Sequence, residues 1–294
     1  MSFIKQAEKL FKSAEKEIGK KFTPNQFAQL ATELLSNSDI HKHFNQSSIH
    51  ECLSYSNYPG HYYNQRQFGD VALTLFKNDQ YFLDLYFWKQ KDTDIHAHHF
   101  TGAFKMLSGH QHQLECSFQL KEKVLPFLHT GNIKLKNFKR IIPGETQSIF
   151  LNEDFIHQTH HDKKILTANL CLRTTTFPNE HLWGYYLHGY KVLHLGNPDD
   201  RVRKLTLISS LPKKNQFEAL SSFLASQDHH TLITLAIGET WTAQLIDKNL
   251  RSLIIRYLKE KQPQLWLKTA GLINGIPKQQ KKHQKLLVFM YDGV

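Results

Sequence analysis

Residues 95–109 read IHAHHFTGAFKMLSG, and the fold is decided by how this stretch is read. His96 and His98 stand two residues apart, so on an extended strand both imidazoles project from one face. Gly109 then closes the strand with a turn. Of the chain's 19 histidines, eight fall in the two windows His96–His112 and His157–His161. Clustering of that kind is what a metal site produces. Two imidazoles from one strand need a further ligand from a neighbour, and LNEDFIHQTHH (residues 151–161) offers His157 as it enters a new strand. Neutral imidazole suits iron, copper, nickel or zinc, so histidine ligands alone do not choose the metal.

Outward from this stretch the pattern is that of strands. DVALTLFKND (70–79) and QYFLDLYFWKQ (80–90) read as two strands around a turn at Lys77, Asn78 and Asp79. FTGAFKMLSG (100–109), HQHQLECSFQL (110–120), IKLKNFKRII (133–142), QSIFL (147–151) and ILTANLCLRTTTF (165–177) continue it. Six or more strands with short turns and no helical periodicity predict a closed or double-sheet β-barrel. Before them, Phe3, Ala7, Leu10, Ala14 and Ile18 lie at helical spacing. Thr23, Pro24 and Gln26 then spell a capped helix start, followed by Phe27, Leu30, Ala31, Leu34 and Leu35. Residues 215–226, 231–246 and 248–260 are helical by period, whereas 183–210 are ambiguous and Leu205–Ile208 fits a strand. The expected organisation is a helical leader (1–55), a β-barrel (56–180) and a basic, mainly helical C-terminal region (181–294).

Composition excludes several classes. The chain has 294 residues, 40% hydrophobic and 21% charged, enough for a sizeable core without disulfides. Three cysteines (Cys52, Cys116, Cys171) leave at least one unpaired, which predicts a reducing, cytoplasmic setting. No signal peptide and no run of apolar residues long enough for a membrane span is evident, so no membrane partner is expected. Net charge is +11, and residues 201–294 carry most of it, with 15 Lys and Arg against 6 Asp and Glu. That surplus leaves room for a homo-oligomer or an acidic protein partner through the C-terminal region. No nucleic-acid recognition module is present, so nucleic acid is not an expected partner.

The HxH pair, a glycine closing the strand, and a histidine some 60 residues later resemble the cupin pattern. Within it, FLDLYFWKQKDTDIHAHHFTGAFKMLSG with a single later histidine is similar to the cysteine dioxygenase-type thiol dioxygenases. The likeness covers about residues 60–178. It implies a mainly β, cupin-type barrel (a double-sheet jelly roll) with N-terminal helices and a C-terminal helical extension. It also implies a non-haem Fe(2+) cofactor, although another divalent transition metal is compatible, held by His96, His98 and His157. Dioxygen and a small anionic substrate, with a thiol acid as one candidate, follow from the same likeness. Gly102 stands near where most cupins place a glutamate, which fits a three-histidine site. The chain departs from the family at Ala103, where some members carry a cross-linked cysteine. It departs again at Thr74, near where the arginine that clamps the substrate carboxylate is expected; Arg66 is close but out of register. Cysteine is therefore ranked below other thiol acids.

On ANLCLR, Asn169, Cys171 and Arg173 share one face while Leu170 and Leu172 share the other. If the leucines pack against helices, Arg173 faces the barrel interior, where a guanidinium needs an anion. A substrate carboxylate would supply one; the alternative is that Arg173 leaves the barrel and pairs with Glu180 or solvent. His99, His160 and His161 are expected to face solvent at strand ends, the alternative being that one of them supports a ligand or acts as an acid-base group; His110 and His112 are expected to lie outside the centre, and Cys116 and Cys171 to be core residues. Glu115 and Glu153 are possible bases without supporting spacing. The leading reading is an iron(II)-dependent, dioxygenase-like cupin. The alternative is a non-catalytic metal- or ligand-sensing cupin whose basic tail binds a partner.

Overall fold

The computed structural model describes residues 2–18, 22–57, 59, 69–89, 92–162, 164–175, 177, 182–186, 189–193, 198–237, 248–271 and 273. Arg66 and Glu180 lie outside the described residues. The chain divides into two compact units, residues 1–119 with 133–185, and residues 120–132 with 186–294.

The first unit opens with helices α1 (Phe3–Glu17), α2 (Pro24–Asn37) and α3 (Gln46–Ser54). Ser2 caps α1, and the predicted capping box of α2 is present, with Thr23 accepting from the Gln26 amide and Gln26 accepting from the Thr23 amide. The strands are β1 (Val71–Lys77), β2 (Tyr81–Trp88), β3 (Ile95–His98), β4 (Gly102–Ser108), β5 (Gln111–Leu125), β6 (Leu128–Ile141), β7 (Thr146–Ile149), β8 (Asn152–His161), β9 (Thr167–Thr174), β10 (Trp183–Tyr186) and β11 (Tyr190–Leu193). They form an antiparallel sheet in the order β1-β2-β9-β4-β7 and a closed six-stranded barrel in the order β10-β11-β6-β5-β8-β3. The mainly β, double-sheet architecture with helices at both ends is therefore as expected.

Strand alternation sorts the side chains of the five-stranded sheet. Leu83, Leu85 and Phe87 of β2, and Ala168, Leu170 and Leu172 of β9, pack with Phe3, Ala7, Leu10, Phe27 and Leu35 of the helices. Fully burying a side chain of this size stabilises by roughly 1.5–3 kcal/mol, so this layer is the main anchor of the leader. The alternate residues Tyr86, Trp88 and Cys171 join Phe100, Phe104, Met106, Ile149 and Phe155 in an inner cluster. Lys105 reaches the helical layer and, although 1% exposed, donates from Nζ to the carbonyl of Leu35 at 2.9 Å, satisfying the C-terminal end of α2.

The second unit contains helices α4 (Pro198–Ser210), α5 (Lys213–Ala225), α6 (His229–Ile237) and α7 (Lys248–Lys261). Leu205–Ile208, read from the sequence as compatible with a strand, belong to α4, where Leu205 and Ile208 are buried at helical spacing. The predicted helix over 231–246 is observed to Ile237; residues 238–247 lie outside the described residues. Within this unit β11 pairs with the start of β6, Val192 opposite Leu128. Both residues belong to the helical core with Leu220, Leu224, Leu232 and Leu258, and Val124, Leu125 and Phe127 pack on its edge. The tip of the β5–β6 hairpin is thus part of the core of the C-terminal helices. No helix among the described residues is long and apolar enough to cross a membrane.

Removing residues 186–294 alone strips the apolar hairpin tip of its cover, and the shortened chain is expected to aggregate. Replacing residues 120–132 with an Asn-Gly turn in the same truncation should restore a monomeric barrel unit, as read by size-exclusion chromatography and circular dichroism. A soluble monomer from the simple truncation would show that the hairpin tip does not need the helices.

Candidate metal centre

His96 and His98 come from β3, and His157 comes from the middle of β8 rather than its beginning. His96 is paired directly with His157, and the β3–β8 register shifts between His96 and His98, which share one face of β3. One ring nitrogen of each histidine lies within 4.8 Å of the others. The ring centroids are 4.7–4.9 Å apart, and all three residues are buried.

Hydrogen bonds outside the triad set its orientation. His96 Nδ1 lies 2.7 Å from the Asp94 carbonyl, and His157 Nδ1 lies 3.4 Å from Gln113 Oε1. Both partners are acceptors, so each Nδ1 carries the proton and Nε2 keeps its lone pair. Gln113 is itself held through Nε2 by Glu115, which pairs with Lys139 at 2.7 Å. Burial first, and then the neighbouring imidazoles, hold His98 well below its ordinary pKa; burial first, then His96 and Lys139, do the same for His157.

This donor set fits a divalent metal. Neutral imidazoles are ligands, and the Nε2 atoms of His98 and His157 are 2.9 Å apart. Two nitrogens that share one ion at about 2.0–2.1 Å with a right angle between them lie about 2.9 Å apart. No carboxylate belongs to the cluster among the described residues. Gly102 explains why none comes from the position where one is usual: a Cβ there would sit 2.2 Å from the Leu172 carbonyl oxygen, so no side chain fits.

The triad forms part of the wall of a small cavity of about 60 Å³. Tyr86, Trp88, Phe100, Phe104 and Ile149 give it apolar faces, while Thr93, Gln111, Thr159, Asn169 and Cys171 add neutral polar groups. Asn169 and Cys171 are there because Leu170 and Leu172 face the helices, the division expected from their alternation. Burial pushes the thiol of Cys116 up to about 11 and that of Cys171 higher still, which suits core residues and not nucleophiles.

Arg173 lies on the inner face but is not part of the cavity wall. Its Nε donates to Asp84 Oδ2 at 2.7 Å and to the Tyr86 hydroxyl at 3.2 Å, and its guanidinium lies over the rings of Phe82 and Phe100. Asp84, 2% exposed, also accepts from Thr74 Oγ1 at 2.7 Å and from the Tyr86 hydroxyl at 2.9 Å. The anion that the sequence reading assigned to a ligand is therefore supplied by the chain itself. Thr74, where the resemblance leads one to expect an arginine, binds the carboxylate that holds Arg173.

The other histidines divide. His112 stacks on Phe138 and His110 stands beside it, outside the centre as expected. His160 lies 3.5 Å from Asp92. His161 departs from expectation: it is 6% exposed and stacks on Trp88 at 4.5 Å with the planes 10° apart. Counting from His157 would have found it, since 157, 159 and 161 share the inner face of β8. Glu115 pairs with Lys139, the Tyr185 hydroxyl donates to Glu153, and neither carboxylate borders the cavity.

No family model matches this chain, and no curated protein does. Solved structures show remote likeness. A DMSP lyase from Ruegeria pomeroyi DSS-3 aligns over 64% of this chain and 98% of its own, at 10% identity and a TM-score of 0.32. A sugar phosphate isomerase from a cupin superfamily, from Silicibacter pomeroyi, aligns over 46% and 82%, at 11% identity and 0.26. A hydroquinone 1,2-dioxygenase from Sphingomonas sp. TTNP3 aligns over 35% and 65%, at 6% identity and 0.27, so this chain spans under two thirds of that protein's length.

Two expected outcomes follow. Arg173→Met leaves Asp84 buried without its cation and should cost about 3–5 kcal/mol, while adding Asp84→Asn should restore most of it, as read by urea unfolding. Equal stability of Arg173→Met and the parent would mean the pair contributes nothing. Burial also lowers the pKa of His161 from 6.5 to about 4. Between those values the unfolded chain binds the proton and the folded one does not, so stability is complete above pH 6.5 and falls toward pH 4. The loss is about 3 kcal/mol. The fall in unfolding free energy between pH 7 and pH 4 should be smaller by about that amount in His161→Phe, with the remainder belonging to other buried histidines such as His98 and His157.

Proposed function

We propose that this protein is a cupin-type, non-haem iron(II) enzyme of the dioxygenase kind, in which His96, His98 and His157 ligate the metal. The observation that carries the reading is the convergence of three buried imidazoles, two of them oriented by hydrogen bonds from outside, on a largely apolar cavity. When bound, iron(II) would supply the redox chemistry toward dioxygen; three protein ligands leave coordination positions open for small molecules. The chain's own residues do the rest. Asp94 and Gln113 hold the ring tautomers, and Phe100, Phe104 and Ile149 exclude water from the reacting end. Gly102 keeps a carboxylate out of the ligand set, so the centre retains the full charge of the ion and favours a substrate with an anionic head.

A thiolate is the preferred head group, bound at the metal itself. In this proposal Arg173 is a positioning residue: paired with Asp84, it fixes the Tyr86 hydroxyl at the edge of the cavity. A substrate carboxylate would have to displace Asp84 to reach it.

The purified chain is expected to hold one divalent metal, with iron supporting oxygen uptake in the presence of a suitable thiol. His96→Ala and His157→Ala should each lower metal content at least tenfold while leaving the circular dichroism spectrum unchanged. Full occupancy in both variants would remove the centre. Metal binding without oxygen uptake across a panel of aliphatic and aromatic thiols would remove the dioxygenase chemistry.

A further inference from the structure

The cavity has a second polar wall that the metal does not use. Trp88 Nε1, Gln111 Nε2 and both ring nitrogens of His161 are buried and have no hydrogen-bond partner among the described residues. The three residues are 7%, 1% and 6% exposed. They stand together: His161 stacks on the Trp88 indole, Gln111 is directly opposite His161 across the β5–β8 pair, and Trp88 and Gln111 both border the cavity. Buried polar groups are nearly always satisfied, by protein, ordered water or a ligand. Trp88 and Gln111 bring their open donors to one end of the cavity, with His161 stacked on the Trp88 indole, and among the described residues these groups find no partner.

Their chemistry defines what would satisfy them. An indole N–H and an amide nitrogen only donate, and a neutral imidazole donates from one nitrogen and accepts at the other. Donors predominate, so the complementary group is an oxygen acceptor. No Lys, Arg, Asp or Glu borders the cavity among the described residues, so a charged oxygen group would lose its hydration there without a counter-charge. His161 is four residues beyond His157 on β8, roughly 13 Å of strand. Thr159 lies between them on the same face, so these donors are set apart from the metal centre along the cavity.

We propose that Trp88, Gln111 and His161 form an acceptor-binding subsite that fixes the far end of the substrate. It takes an uncharged carbonyl, amide or hydroxyl oxygen, carried on a flat apolar body whose head lies at the three histidines. The position of the head rests on the metal-enzyme reading above; the subsite itself does not.

The test is a titration of the full-length chain, labelled with 15N at its tryptophan indoles, with benzamide, toluene and benzoate. The Trp88 signal is assigned by its loss in Trp88→Phe. Benzamide is expected to move that signal, which toluene and benzoate leave in place, and to bind at least tenfold more tightly than toluene. Gln111→Leu and His161→Phe should each weaken benzamide at least fivefold and leave toluene within twofold. Should His161→Phe fail to fold, Gln111→Leu and the near-isosteric Gln111→Glu carry the comparison. Equal binding of benzamide and toluene, a shift of the Trp88 signal by benzoate as large as by benzamide, or variants that leave the ratio unchanged would overturn the subsite. Metal uptake is measured on the same samples by equilibrium dialysis. Selective benzamide binding without metal uptake defeats the metal centre alone, and metal uptake without selective benzamide binding defeats the subsite alone.

Discussion

The pairing of β2 with β9 is the constraint on which the interior depends. Leu83 faces Leu172 and Leu85 faces Leu170, so one side of this pair is apolar and must be covered by the N-terminal helices. The intervening rungs place Asp84 opposite Cys171 and Tyr86 opposite Asn169, which directs polar and aromatic groups into the cavity. A shift of one residue would exchange the two faces and bury the Asp84 carboxylate under α1 and α2. Hydrophobic burial on the outer face therefore holds the inner face in register.

Charge inside the barrel is handled by internal pairing. Asp84 and Arg173 neutralise each other, with Thr74 and Tyr86 taking further hydrogen bonds of the carboxylate. A buried pair of this kind contributes little net stability, but loss of either member would leave an uncompensated charge. His98 and His157 are held neutral through burial, so their lone pairs stay available. Among the described residues the cavity surface carries no Lys, Arg, Asp or Glu, and a metal ion there would be its dominant electrostatic feature.

The C-terminal helices bury their apolar faces together and on the tip of one long hairpin. Helices of 9–14 residues are marginal alone in water, and Leu128 and Val192 supply part of the common core that makes them stable.

The sequence by itself determined the architecture and singled out His96, His98 and His157, which the fold brings together. Alternation at period two and spacing at period 3.6 are local signals, so the strands, the capped helix at Thr23 and the shared face of His96 and His98 could be read directly. Even the division of β9 into leucine and polar faces was legible. The partner of each inward group was decided only by tertiary structure, because cross-strand neighbours are distant in sequence. Asp84 is 89 residues from Arg173, and nothing local marks it as that arginine's anion. His161 is read as a strand-end residue until Trp88 of β2 covers it. Leu205 and Ile208 likewise suit a strand in isolation, and it is burial among the C-terminal helices that keeps them helical.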